Sequence, residues 1–193
     1  MTSTAAQLGI SVEDYLDGEL RSEVKHEYVN GEVYAMVGAT ADHNTIAGNG
    51  FAWLHSRVKL PCKVYMGEVK ARVLTDLDDR FYYPDVMIAC DQGDLHPYFR
   101  TEPCLIIEVL SNSTERRDRA DKFFAYRKLP SLREYVLIAQ DSYRVEVYRR
   151  DTNWDLEIYG EDASLRLECV ADSLAVADVY QGAEPAPAPA PLF

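Results

Sequence analysis

The chain reads as an α/β (α+β) fold, and three stretches predict it. Residues 105–110 are apolar except for Glu108, lie between Pro103 and Ser111, and read as an inner strand feeding a helix. Residues 27–34 alternate around Asn30-Gly31, a strong short signal for a tight hairpin. Residues 133–149 alternate on both sides of Gln140-Asp141-Ser142 and read as a second antiparallel pair. A buried strand–helix unit beside hairpins calls for a mixed sheet flanked by helices.

Taken in order, residues 1–10 are small and polar and form a leader. Ser11 caps a short helix with acids in its first turn, ending at Gly18. After the first hairpin, Ala47, Phe51, Leu54 and Val58 recur at helical spacing and predict a helix over 42–59, stopped by Pro61. Two strands follow, 63–74 and 81–90, joined by the acidic turn 75–79. A polar loop over 91–102 leads into the buried strand. The helix after it runs from about Thr114 to Lys128 and is closed by Pro130. Weaker strands at 155–159 and 164–169 and a short helix over 175–180 follow the second hairpin. Residues 11–181 thus make one domain, and 182–193 a Pro/Ala-rich disordered tail.

Charge and cysteines narrow the classes. Twenty Lys and Arg stand against 32 Asp and Glu, a net charge of −12, which excludes a general nucleic-acid coat and a membrane-surface binder. Ten of those basic residues, against six acids, fall between Glu115 and Arg150, a candidate face toward a polyanion or simply a solvated surface. The four cysteines show no paired spacing and read as reduced core residues. With neither a signal peptide nor an apolar run of spanning length, a cytoplasmic protein with no membrane partner is expected.

The chemistry starts from Glu108. Side chains alternate along a strand, so Glu108 shares a face with Ile106 and Leu110 and must be protonated, paired or bound to a cation. Asp85 lies in a strand one loop away, so both carboxylates can meet at one sheet end. Two hard oxygen ligands suit Mg²⁺ or Mn²⁺ better than zinc. Asp118, Lys122 and Tyr126 recur every fourth residue on one helix face, which lets Lys122 reach Glu108. Such a carboxylate pair with an ammonium suits attack on a phosphodiester. A purely structural Glu108–Lys122 ion pair is the competing reading.

Tyr83-Pro84-Asp85-Val86, Glu108-Val109-Leu110-Ser111-x-Ser113-Thr114, Asp118-x-x-x-Lys122-x-x-x-Tyr126 and Glu134-Tyr135 before a Val-Glu-Val-Tyr-Arg strand resemble the Uma2 family. That family belongs to the PD-(D/E)XK restriction-endonuclease-like superfamily, and the resemblance spans about residues 12–179. It implies a restriction-endonuclease-like core and an endonuclease that hydrolyses phosphodiester bonds in nucleic acid, DNA first. Asp85 and Glu108 would be metal ligands for Mg²⁺ (or Mn²⁺), with the Val109 carbonyl as a further ligand and Lys122 as the catalytic lysine. Position 110, where the wider superfamily keeps that lysine, is Leu here. Glu27 matches an additional superfamily acid, and His43 and Tyr126 are second-tier candidates. Val136 and Gln140 depart from the family pattern, which often has Trp and Asp there. A homodimer is a further implication. The alternative is a catalytically inactive module on the same fold that binds nucleic acid or protein.

Overall fold

The structure is a computed structural model that describes residues 9–90, 93, 96–111 and 115–185. The expected leader up to residue 8, the tail from 186 and parts of the 91–102 loop lie outside those residues.

The N-terminal helix α1 (Val12–Glu19) starts at Ser11, whose side chain accepts from the Asp14 amide. The last part of the expected leader is tied down, because Ile10 N donates to Gly31 O at 2.9 Å. Strands β1 (His26–Val29) and β2 (Glu32–Ala35) form the hairpin. Asn30 and Gly31 both take positive φ, 51° and 97°, the left-handed pair that a two-residue hairpin of matching twist requires. Helix α2 (Ala41–His55) is capped by Thr40 and ends four residues before the expected limit at 59.

The two long strands expected next are each broken, and this positions the site. The first divides into β3 (Lys63–Met66) and β4 (Lys70–Leu74), the second into β5 (Asp79–Tyr82) and β6 (Val86–Ala89). Gly67, at φ 52°, donates its amide to the carbonyls of Pro84 and Asp85, so the two breaks face one another. Pro84 cannot donate to a ladder, and Gly67 accepts the left-handed bend. The ribbon therefore leaves one sheet and enters another at this point. Asp85, expected inside a strand, sits at the bend.

Strand β7 (Phe99–Arg100) pairs parallel to β4, a short strand within the stretch expected to be loop. The large sheet is built on β8 (Pro103–Leu110), buried at every residue. Strand β9 (Glu134–Ala139) pairs parallel to β8 and antiparallel to β10 (Val145–Arg149). Between β8 and β9 runs a helical segment, 115–126: α3 (Glu115–Arg117), a π-helical turn (Asp118–Lys122) and α4 (Phe123–Tyr126). Strand β11 (Leu156–Tyr159) extends the sheet to the order β11-β10-β9-β8-β6-β3. The N-terminal strands make a second sheet, β2-β1-β5-β4-β7. Strand β12 (Ser164–Leu167) pairs with β13 (Asp172–Ala175), which no sequence pattern announced, and α5 (Val176–Val179) follows.

Alternation along β8 sorts its side chains as expected. Leu105, Ile107 and Val109 pack with Ile46 and Leu54 of α2 on one face. Ile106 and Leu110 pack with Ala125, Tyr126 and Tyr135 on the other, and Glu108 points the same way. Phe124 is half exposed, while Phe123 lies against Tyr148.

The expectation of four reduced cysteines is corrected: Cys62 and Cys90 form a disulfide. They extend the β3–β6 register one step beyond Lys63↔Ala89, so sheet pairing brings together residues that lie 28 apart in sequence. Cys104 and Cys169 remain free. Among the described residues, no helix is long and apolar enough to cross a membrane.

A buried ion pair anchors the far end of the sheet. Glu134 is fully buried, binds the Arg149 guanidinium and accepts from the Cys169 amide at 3.0 Å. Removing one partner strands the other's charge, so Glu134→Ala is expected to cost about 3–5 kcal/mol in urea unfolding. A loss below about 1 kcal/mol would show that water solvates Arg149 freely.

Candidate functional site

The site forms where the bent ribbon, the end of β8 and the π-helical turn converge. Asp85 is held by its own neighbours: Oδ2 accepts from the Val109 amide at 2.7 Å, and Oδ1 lies 2.9 Å from His43 Nε2. His43 stands in the first turn of α2, fixed by the Thr40 cap, and its buried Nδ1 has no hydrogen-bond partner among the described residues. Because the N–H and C=O of one strand residue face the same side, the Val109 carbonyl also faces the β6 edge.

Glu108 is buried on the helix-facing side of β8. Its Oε1 lies 3.2 Å from Lys122 Nζ and accepts from the Tyr126 hydroxyl at 3.2 Å. Lys122 Nζ also lies 3.0 Å from Asp118 Oδ1 and 3.2 Å from Glu27 Oε1. Those two oxygens are buried and lack a well-aligned hydrogen bond, so the ammonium charge is what offsets them. The other Glu27 oxygen, Oε2, is 2.9 Å from Arg117 Nη1. Four carboxylates (Glu27, Asp85, Glu108, Asp118) therefore face two permanent cations, Lys122 and Arg117, and an excess of negative charge remains.

The π turn brings this about. A widened turn shifts the helix register while keeping Asp118 and Lys122 both buried against Glu108's strand. Tyr135, on β9, donates to the Asp118 carbonyl at 3.0 Å and braces that turn.

Burial drives the titration. The Glu108 carboxyl is pushed well above the usual carboxylate range by loss of solvent, reinforced by Asp118, Asp85 and Glu27 and opposed by Lys122. Burial disfavours the Lys122 ammonium, but Glu108, Glu27 and Asp118 outweigh it and raise its pKa well above that of a free lysine. Tyr126 is likewise raised by burial and by Glu108, so its hydroxyl stays a donor.

All six side chains expected at the site are brought together, with the Val109 backbone beside them. Asp118, read from the sequence as sharing the helix face of Lys122 but given no role at the site, joins the ion network, as does Arg117, for which the sequence carried no signal. The Arg-rich run is only partly a surface. Arg149 is buried with Glu134, Arg119 and Arg144 bind the buried Glu146, and Arg150 donates to the carbonyls of Leu129 and Leu132.

The cluster lines a cleft of about 690 Å³, whose wall includes Asp85, Glu108, Val109 and Lys122 together with residues 36–40. Its size suits a small ligand or a strand segment. Gln140, also on the wall, accepts from Thr40 at 3.1 Å.

A mixed sheet flanked by helices, with a bent ribbon feeding its central strand, is a restriction-endonuclease-like core. The family model described as "Uma2: Putative restriction endonuclease" matches residues 12–177, and the chain belongs to that family. Two Synechocystis relatives, the uncharacterized proteins slr1290 and sll1609, are 34% and 32% identical. The first alignment covers 90% of this chain and 92% of the relative, the second 81% and 91%. Among solved structures, a "putative nuclease belonging to DUF820" from Anabaena variabilis shares the fold at a TM-score of 0.69 and 19% identity, covering 86% of this chain and 97% of that one.

The raised Glu108 pKa has a measurable consequence. The unfolded chain ionises near the ordinary glutamate value, about 4.3, while the fold favours the protonated form. Between those two values folding takes up a proton, so stability falls as pH rises through that window. Glu108→Gln, which cannot ionise, is expected to be more stable than the wild type at neutral pH, read as a higher urea midpoint. The gap should close toward pH 4. Equal urea curves at both pH values would mean that Lys122 fully compensates the buried charge.

Proposed function

We propose that this protein is a Mg²⁺-dependent (or Mn²⁺-dependent) endonuclease that hydrolyses phosphodiester bonds, in DNA first. The observation that carries the reading is the fully buried Glu108 at the end of a central strand, flanked by Asp85 and Lys122 on the wall of an open cleft. A structural ion pair has no need of that cleft or of a second carboxylate bent toward it.

The residues fit a hard divalent cation. The donors are oxygens, negative charge is in excess, and two buried carboxylate oxygens, on Glu27 and Asp118, lack aligned hydrogen bonds. Among the described residues no three His, Cys, Asp or Glu side chains close around one point, so the protein offers no full cage. Magnesium is commonly held that way, by one or two carboxylates with waters and substrate phosphate completing the shell. Asp85, Glu108 and the Val109 carbonyl would hold it. When bound, it would polarise the phosphodiester and acidify a water.

The chain's own groups divide the remaining work. Lys122, held protonated by its three carboxylates, is an electrostatic stabiliser of the charge that develops on the phosphoryl oxygens and is unsuited to act as a base. Tyr126 fixes Glu108 by hydrogen bonding, and His43 does the same for Asp85. Glu27 holds the ammonium from behind and is itself paired with Arg117.

The decisive experiment is plasmid cleavage with added Mg²⁺ or Mn²⁺, on the wild type, Asp85→Asn and Glu108→Gln. Each substitution is expected to lower the rate by at least about 10²-fold with the fold intact. Metal should raise the melting temperature of the wild type but not of Glu108→Gln. Cleavage retained in both variants would end the reading. The inactive interaction module has one observation in its favour, the engagement of Lys122 with three carboxylates at once. Metal-dependent cleavage that tracks Glu108 would dismiss it.

A further inference from the structure

On the other side of the 115–126 helix from the cleft lies a second recess of about 690 Å³, lined by Tyr34, Arg80, Tyr82, Arg116, Arg117 and Asp121 among others. Its charge runs against that of the molecule. Arg80 pairs with Asp78, but Asp78 also binds Lys128, and Arg117 pairs with Glu27, which Lys122 already neutralises in part. Arg116 is exposed and has no ion-pair partner among the described residues. Asp121 is the acid that lines the recess. A protein of net charge −12 thus keeps a cationic hollow here.

An aromatic ledge stands in the same hollow. Tyr34, on the edge strand β2, is 41% exposed, and the Arg117 guanidinium lies over its ring at 4.9 Å from the centroid. A flat, exposed tyrosine roofed by a guanidinium offers π-faces on which a nucleobase can stack, with arginines beside it for the phosphate. Duplex DNA keeps its bases inside the stack and cannot use such a ledge; an unpaired nucleotide can.

We infer that this recess binds an unpaired nucleotide of a single strand, its base stacked on the Tyr34–Arg117 ledge and its phosphates on Arg116 and Arg80. The identity of the ligand rests on the nuclease reading above. The recess and the cleft are physically linked, since Arg117, Glu27, Lys122 and Glu108 form one chain of ion pairs through the helix wall. A strand seated in the recess therefore contacts the arginine that supports the catalytic lysine, and the substrate class becomes nucleic acid with an unpaired segment.

The test is fluorescence anisotropy of a labelled oligothymidylate of about 15 nucleotides in EDTA, so that binding is read without cleavage. Tyr34→Ala is expected to weaken binding about tenfold, with Tyr34→Phe retaining it. Arg116→Glu should weaken it and flatten its salt dependence. A duplex of the same length should bind less tightly than the strand. Wild-type affinity in Tyr34→Ala, a duplex that competes as well as the strand, or a polyglutamate peptide that displaces it equally well would overturn the inference. A protein that cleaves plasmid yet ignores Tyr34→Ala sinks the recess alone. One that binds the strand through Tyr34 yet never cleaves sinks only the cleavage.

Discussion

A carboxylate on the central strand of a sheet, buried on both sides, is tolerable only if its charge is removed or matched, and Glu108 meets that constraint with Lys122. The rest of the site follows from it. Glu108 is covered on its face of the sheet, so the lysine that pairs with it comes from a helix lying directly over β8. The π-helical turn and the Tyr135 hydroxyl hold that helix in the register where Asp118 and Lys122 both face inward. Lys122 in turn draws Glu27 from the neighbouring hairpin. One desolvated charge thereby ties together both sheets and the crossover helix.

Such an arrangement works against stability. Four acids around two permanent cations leave uncompensated negative charge in a partly buried space, and two of their oxygens lack aligned donors. Such frustration is what the proposed cation would relieve. Glu134 and Arg149 provide the contrast within the same sheet. That pair is equally buried, but Glu157 and the Cys169 amide complete its hydrogen bonding.

The two cavities meet at the same helix from opposite sides. The cleft presents carboxylates suited to a cation, and the recess presents arginines and a tyrosine suited to a nucleotide. On the proposed reading, opposite potentials a single helix apart would orient a polyanionic strand, with its backbone drawn to the cationic side.

Much of this was legible in the sequence because it depends on local rules. Alternation placed Glu108 on the face of Ile106 and Leu110, helical spacing carried Lys122 and Tyr126 to it, and Asn30-Gly31 specified the hairpin that delivers Glu27. Local rules failed where two segments distant in sequence decide the outcome together. The break at Asp85 exists because Gly67 and Pro84 face each other across a ribbon, and neither residue alone ends a strand. The Cys62–Cys90 disulfide follows from sheet register, which no spacing in the chain encodes. Which arginines of the 115–150 segment are free was likewise decided by partners from other elements, Glu27 for Arg117 and Glu134 for Arg149. Periodicity and residue type, then, determined the elements and the acids and lysine they carry. Tertiary pairing alone decided where the strands bend, which charges are already matched, and so which remain for a ligand.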